Sequence, residues 1–171
     1  QAIEYYQTSL DIANKMAVPI EYVLNSKNNM AFTLKEKGEL NDALLIFQEL
    51  LDDKRLKQVA PELYVIVMEN TATTRFLNKD SDLSSIESQF KEAYRVADSL
   101  DDPISKTNVL GDWANFYFET NRKEEALRLS KENYILAKET DANDVKLRAL
   151  KLMSQIEGGE KGKKYLDEYI Q

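Results

Sequence analysis

Residues 30–47 read MAFTLKEKGELNDALLIF, and this stretch decides the fold of the chain. On either side of a polar, glycine-containing run, apolar residues recur at three- and four-residue steps, as at Ala43 and Phe47. That spacing is typical of amphipathic helices. Asn41 or Asp42 is expected to cap the second helix, because both side chains can accept from free backbone N–H groups. The stretch predicts two helices joined by a tight turn.

The prolines repeat this pattern along the chain. Pro19, Pro61 and Pro103 are the only prolines, and both intervals between them are 42 residues (61 − 19 and 103 − 61). Proline is tolerated at the first position of a helix, where its missing N–H would have no partner. Each proline therefore predicts the start of a helix, and together they indicate an internal repeat.

The predicted organisation is a single all-α array over residues 1–171. It consists of an unpaired helix at 1–16, full helix pairs at 19–57, 61–100 and 103–140, and a last, degenerate pair at 144–171. The chain lacks an initiating Met and opens inside a predicted helix, so we expect a piece cut from a longer protein. In the second pair the repeat phase stays open. Either Thr74 and Ile86 mark it, or Ala72 does, with two extra residues in the turn.

Residues 30–47 resemble the tetratricopeptide repeat signature, and residues 113–126 resemble it again. Ala31 and Ala43 are 12 residues apart, as are Ala114 and Ala126. The resemblance implies small residues where two helices cross closely. It also implies a right-handed α-solenoid of stacked antiparallel helix hairpins, with the first helix of each pair lining a concave groove.

Within that family, the long repeat is similar to regions of bacterial signalling proteins. In those proteins such repeats precede a histidine kinase or the output domain of a transcriptional regulator. The resemblance implies a sensory or regulatory role as the alternative to a binding scaffold. The compartment is open between cytoplasm and periplasm, and the analogy leans towards the periplasm.

Composition excludes several classes of function. The chain has no Cys and no His, which excludes disulfides, thiolate nucleophiles, Cys/His zinc sites and a Ser-His-Asp triad. Its net charge of −7 and the lack of a basic cluster argue against nucleic acid as a partner. The longest apolar run, Leu63–Met68, is too short to insert into a membrane. We therefore expect no enzymatic activity, no cofactor and no metal.

Polar residues on the first helix of each pair are the candidate site. Asn carries both a donor and an acceptor, so it can hold the backbone of an extended peptide. The same amides could instead bond neighbouring helices of the array, and the sequence does not choose between the two roles. The predicted groove residues are Asn25, Asn28, Asn29, Phe32, Asn70, Thr73, Asn108, Asp112 and Asn115.

The leading hypothesis is a non-enzymatic scaffold that binds an unidentified protein or peptide in this groove, with self-association as a further expectation. Because the chain is acidic, the ligand is expected to be neutral or basic. Arg75 and Lys79 are the only cations expected at groove positions. That is too few for the carboxylate clamp of chaperone-binding relatives.

Overall fold

The computed structural model describes residues 18–170 and, before them, Thr8, Asp11 and Ile12. Over these residues it contains helices and turns and no strand, which confirms the all-α fold class. The elements from Ile20 onward are α1 (Ile20–Glu36), α2 (Leu40–Asp52), α3 (Leu56–Val59), α4 (Pro61–Leu77), α5 (Leu83–Ser99), α6 (Pro103–Glu119), α7 (Lys123–Glu139), α8 (Asn143–Glu157) and α9 (Gly159–Ile170). The predicted unpaired helix at 1–16 lies almost wholly outside the described residues.

The prolines mark helix starts, as predicted. Pro61 and Pro103 are the first residues of α4 and α6, and Pro19 directly precedes α1. At α6, the Asp102 side chain also accepts hydrogen bonds from the backbone N–H groups of Ile104 and Ser105. The fixed φ of proline and this cap together set where the helix begins.

Six of the described helices are followed, within two residues, by a residue with positive φ. After α1, Gly38 has φ +81°, and the N–H of Glu39 donates to the carbonyl of Leu34. This 6→1 bond is the Schellman motif, which satisfies carbonyls that the helix leaves open. The other five positions, at φ +52° to +62°, are Lys79, Asp101, Asn121, Asp141 and Gly158.

The helices α5 and α2 differ in how their N-termini are capped. Asp82 caps α5, since its side chain accepts from the Ser85 N–H at 3.0 Å. The prediction for α2 is wrong, because that helix begins at Leu40 with no side-chain cap. The side-chain oxygen of Asn41 instead accepts from Asn78 at 2.9 Å, which ties α2 to the turn after α4.

The structure selects one of the two repeat phases in the second pair. Ala31, Ala72 and Ala114 each lie 11 residues after the first residue of their helix (31 − 20, 72 − 61 and 114 − 103), and all three are buried. The turn from α4 to α5 spans 78–82, whereas those after α1 and α6 span 37–39 and 120–122. Ala72 therefore marks the phase, and the turn holds the two extra residues.

The contacts group the chain into two compact units, Gln1–Val96 and Ala97–Gln171, with the division inside α5. In the first unit, Ala31 and Ala43 are fully buried between α1 and α2 and let the two helices pack closely. The short helix α3 was not predicted. Its Leu56 is fully buried in the same core, after a turn in which Asp53 binds the Arg55 backbone and guanidinium.

In the second unit, α6 to α9 pack in chain order, and α6 also packs against α8. The core holds Leu110, Leu129 and Leu150, with Trp113 and Tyr117 in ring contact at 5.6 Å. These neighbour contacts are those of a helical-hairpin repeat.

The last hairpin has a very short turn. The single residue Gly158 separates α8 from α9, and Gly162 lies inside α9. A Cβ on Gly162 would stand 2.6 Å from the Ser154 carbonyl oxygen, so glycine lets α9 approach α8. Tyr134 of α7 bonds to Glu168 of α9, which raises the pKa of Tyr134 to about 12. Over the described residues, no helix has the length and apolar character needed to span a bilayer.

Candidate binding cleft

The predicted groove residues fall into two sets, one in each unit. Asn25, Asn28, Asn29 and Phe32 lie on α1, with Asn70 and Thr73 on α4, all in the first unit. Asn108, Asp112 and Asn115 lie on α6 in the second unit. The two sets differ in what their side chains contact.

In the first unit, a lysine forms a hydrogen bond to Asn70, one of the predicted groove residues. The Lys35 ammonium of α1 donates to the side-chain oxygen of Asn70 on α4 at 2.8 Å. It also lies over the Phe32 ring, 4.6 Å from the ring centre. Asn70 is buried, so this bond satisfies an acceptor that would otherwise be costly. Asn70 thus takes the interhelical role that the sequence left open.

The remaining first-unit residues have mixed environments. Asn25 donates to the Glu21 carbonyl of its own helix, and Asn29 is exposed. Thr73 is half-buried. Asn28 is buried, and its Oδ1 atom has no hydrogen-bond partner among the described residues. These side chains do not share one polar wall, because their exposure and partners differ.

In the second unit the three predicted residues line one cleft. Asn108, Asp112 and Asn115 of α6 face Arg148 of α8 and the apolar residues around it. The cavity volume is about 30 Å³, and the open volume including the mouth is about 360 Å³. The residues that the sequence singled out on α6 are therefore brought together at a concave site.

The floor of this cleft comes from α7. Ser130 and Asn133 interrupt its apolar stripe, and both are buried. The Ser130 hydroxyl donates to the Ala126 carbonyl at 2.8 Å. Asn133 is only 2% exposed, and its Oδ1 atom has no hydrogen-bond donor among the described residues. A buried acceptor without a donor costs about 1–3 kcal/mol.

Sequence reasoning missed Asn133 and Ser130 as site residues, although two signals pointed to them. One is their polarity at stripe positions next to Leu129 and Ala137. The other is Gly111, in the middle of a 17-residue helix, where glycine costs roughly 0.5–1 kcal/mol relative to alanine. A Cβ on Gly111 would lie 3.2 Å from Asn133 Nδ2, so the glycine makes room for that side chain.

A second pocket continues the cleft along α6 and α8. It shares Asn115, Arg148 and Leu152 with the first pocket and adds Lys151 and Gln155. Its cavity volume is about 200 Å³. Arg148 pairs with Asp144 one turn earlier at 3.1 Å. Lys151 is exposed, and the two cations give this outer pocket a positive lining.

The two cations expected in the groove, Arg75 and Lys79, instead lie at the turn between α4 and α5. Arg75 donates to Asp80, Ser85 and Gln89 at 2.7–3.0 Å and fixes the turn before α5. The N–H of Asp82 and then Arg75 hold the pKa of Asp80 below its ordinary value. Lys79 is the left-handed residue of that same turn.

A wider groove of about 440 Å³ lies in the first unit beside Leu44 and Leu45 of α2. Its buried polar groups are already satisfied, because Thr71 donates to the Val67 carbonyl and Arg75 pairs with Asp80. The cleft of the second unit differs in that the buried Oδ1 atom of Asn133 has no hydrogen-bond donor among the described residues.

Over the described residues, no cluster of three or more acidic side chains is placed to hold a metal ion. Comparison of the sequence with protein-family models and with curated proteins gave no match.

Proposed function

We propose that this chain is a non-enzymatic, tetratricopeptide-like scaffold that binds an extended peptide segment in the cleft between α6 and α8. The single observation that carries the proposal is the cleft itself, in which the exposed amides Asn108 and Asn115 of α6 share one lining with the cations Arg148 and Lys151 of α8.

The walls support a peptide as the ligand. Asn108 and Asn115 are exposed amides on α6, seven residues apart and so two turns along one face. Each offers a donor and an acceptor, the two groups that a peptide backbone presents. The inner and outer pockets adjoin, which suits a segment lying along α6 and α8.

The outer pocket supports an acidic residue in the ligand. Arg148 and Lys151 line it, although the whole chain has a net charge of −7. Local charge decides which side chain is accepted at short range, since surface charges farther than about 8–10 Å are screened at physiological salt. The proposal therefore replaces the neutral or basic ligand expected from composition with a peptide that carries a carboxylate.

A selection from a random-peptide display library on the intact 171-residue chain tests this function. Selected peptides are then titrated against wild type and the double variant Asn115→Ala/Lys151→Ala. Lys131→Ala, an exposed lysine of α7 outside the cleft, is the matched control.

We expect enrichment of peptides with Asp, Glu or a free C-terminus, binding at least tenfold weaker to the double variant, and weaker binding as salt rises. The control variant should bind like wild type. A selection without binders, or binders that do not distinguish the double variant from wild type, would show that the proposed function is wrong.

A further inference from the structure

We infer that the cleft recognises a peptide in which an alanine or serine lies two residues away from an aspartate or glutamate. The small side chain enters the inner pocket, the cavity of about 30 Å³ beside Gly111 and Ala149. The carboxylate enters the outer pocket, the cavity of about 200 Å³ beside Lys151 and Gln155. This inference rests on the proposed function and names the two side chains that the peptide must present.

Size limits the side chain that can enter the inner pocket. A buried water needs about 10–15 Å³ of such cavity volume, whereas the pocket has about 30 Å³. Roughly two to three heavy atoms fit there, which admits the side chain of alanine or serine and excludes leucine and the aromatic residues. The mouth is wider, with an open volume of about 360 Å³, and leaves room for the peptide backbone.

The lining of the inner pocket favours a side chain without charge. Val145, Ala149 and Leu152 of α8 and Ala114 of α6 line it, and each is at most 7% exposed. A methyl group gains by leaving water for such surroundings, whereas a charged group would lose its hydration. The exposed amide of Asn108 also lines this pocket, and a serine hydroxyl can bond to it.

The outer pocket has the opposite character. It is several times larger, and Lys151 and Gln155 line it together with Asn115. Arg148 is held by Asp144 at 3.1 Å, whereas Lys151 is exposed and forms no ion pair with another described residue. Lys151 therefore supplies the charge that selects a carboxylate, and the two amides can donate further hydrogen bonds to it.

The offset between the two pockets can be read from their linings. On α8 the inner lining runs from Val145 to Leu152 and the outer lining from Arg148 to Gln155, a shift of three residues (148 − 145 and 155 − 152). At a helical rise of about 1.5 Å per residue, this shift is about 4.5 Å. On α6, Asn115 lies four residues beyond the middle of the inner lining at 111, or about 6 Å.

This offset sets the spacing in the peptide. An extended peptide advances about 3.3 Å per residue, and successive side chains point to opposite faces. Neighbouring residues are thus too close together and face apart. Residues two positions apart are separated by about 6.6 Å and face the same side, so such a pair reaches both pockets.

The first arm of the test changes the peptide. One peptide from the display selection is resynthesised with leucine in place of its small residue, and again with its acidic residue moved by one position. We expect each change to weaken binding to the intact wild-type chain about tenfold or more, because leucine overfills the inner pocket and the moved carboxylate faces away from Lys151.

The second arm changes the protein. Val145→Ala removes two methyl groups from the wall of the inner pocket, and the loss of affinity caused by leucine should shrink at least about threefold. Val109→Ala removes the same two groups from a buried valine of α6 that lines neither pocket, and should leave that loss unchanged. Lys151→Ala should bind the peptide and its Glu→Gln or Asp→Asn form equally, whereas Lys131→Ala should still distinguish them.

The outcomes separate this inference from the proposed function. Wild-type binding that tolerates leucine or the moved acidic residue overturns the recognition of this pair and leaves the peptide function standing. The same holds if Val145→Ala and Val109→Ala change the effect of leucine equally. Failure of every peptide to bind overturns both.

Discussion

Gly111 of α6 lies directly against the side chain of Asn133 on α7: a Cβ on the glycine would stand 3.2 Å from Asn133 Nδ2. The contact leaves room for the Asn133 amide in the floor of the cleft. It does so at the cost of a glycine in the interior of α6, where alanine would favour the helix. The glycine and the amide therefore act as one feature of the site.

We predict that Gly111→Ala separates stability from binding. The new methyl group gains up to about 1 kcal/mol of helix propensity. It also pushes the Asn133 side chain into the 30 Å³ cavity, which reduces the room for a ligand. Denaturant unfolding should give an unchanged or raised midpoint, while the affinity for a selected peptide falls at least tenfold. Glu119→Ala, an exposed substitution on the same helix, should leave the affinity unchanged.

Asn133→Leu should stabilise the protein in the absence of ligand. The two side chains have similar shapes, and the change removes a buried acceptor that has no donor. Replacing such a group by an apolar one is neutral to stabilising, here by about 1 kcal/mol. Chemical unfolding of both proteins measures the difference. A loss of more than about 1 kcal/mol would mean that Asn133 is satisfied within the fold.

Ala126→Leu should destabilise the second unit. Ala126 in α7 and Ala114 in α6 are buried, with 0% and 1% of their surface exposed. The larger side chain overpacks this crossing at a cost of roughly 1–3 kcal/mol. Arg128→Leu, at an exposed position two residues later, is the control and should change the midpoint little. Equal unfolding midpoints for Ala126→Leu and wild type would show that Ala126 does not lie at the helix interface.

The fold could be predicted from local signals. The 42-residue proline period located three helix starts, and the 12-residue alanine spacing located the buried crossings, because both features act within one hairpin. The repeat phase of the second pair could not be predicted. The residues fit equally well a turn that is two residues longer and a repeat signature that is shifted along the chain. The short helix α3 depends on burial of Leu56 in the first core, a tertiary contact that periodicity does not report.

Less of the candidate site could be predicted. Asn108, Asp112 and Asn115 were identified because helical spacing places them on one face of α6. Asn70 was assigned to the groove, but the long side chain of Lys35 reaches it from another helix. The floor was missed because Asn133 breaks an apolar stripe, and a polar residue in such a stripe does not by itself indicate a site.

Acid should weaken the contact that links α3 to α5. Arg95 and Lys57 bind Glu92 at 2.8 and 2.9 Å and lower its pKa from 4.5 to about 2. A carboxyl group with a lowered folded-state pKa stabilises the fold above its unfolded pKa, and this contribution disappears as pH falls from about 4.5 to 2.

Glu92→Gln should therefore be less stable than wild type at pH 7, and the difference should shrink below pH 4.5. Urea unfolding at several pH values measures this, with Glu36→Gln, an exposed glutamate of α1, as the control for removing one charge. A difference that is constant from pH 7 to pH 2.5 would contradict the ion-pair explanation.

The most direct test of the proposed binding cleft is to map a selected peptide on the intact ¹⁵N-labelled chain by chemical-shift titration. We expect the largest shifts on the facing sides of α6 and α8, at Asn108, Asn115, Arg148 and Lys151, together with the Asn133 side chain of α7. Saturable binding whose shifts fall on other helices and leave these five residues unchanged would contradict this expectation.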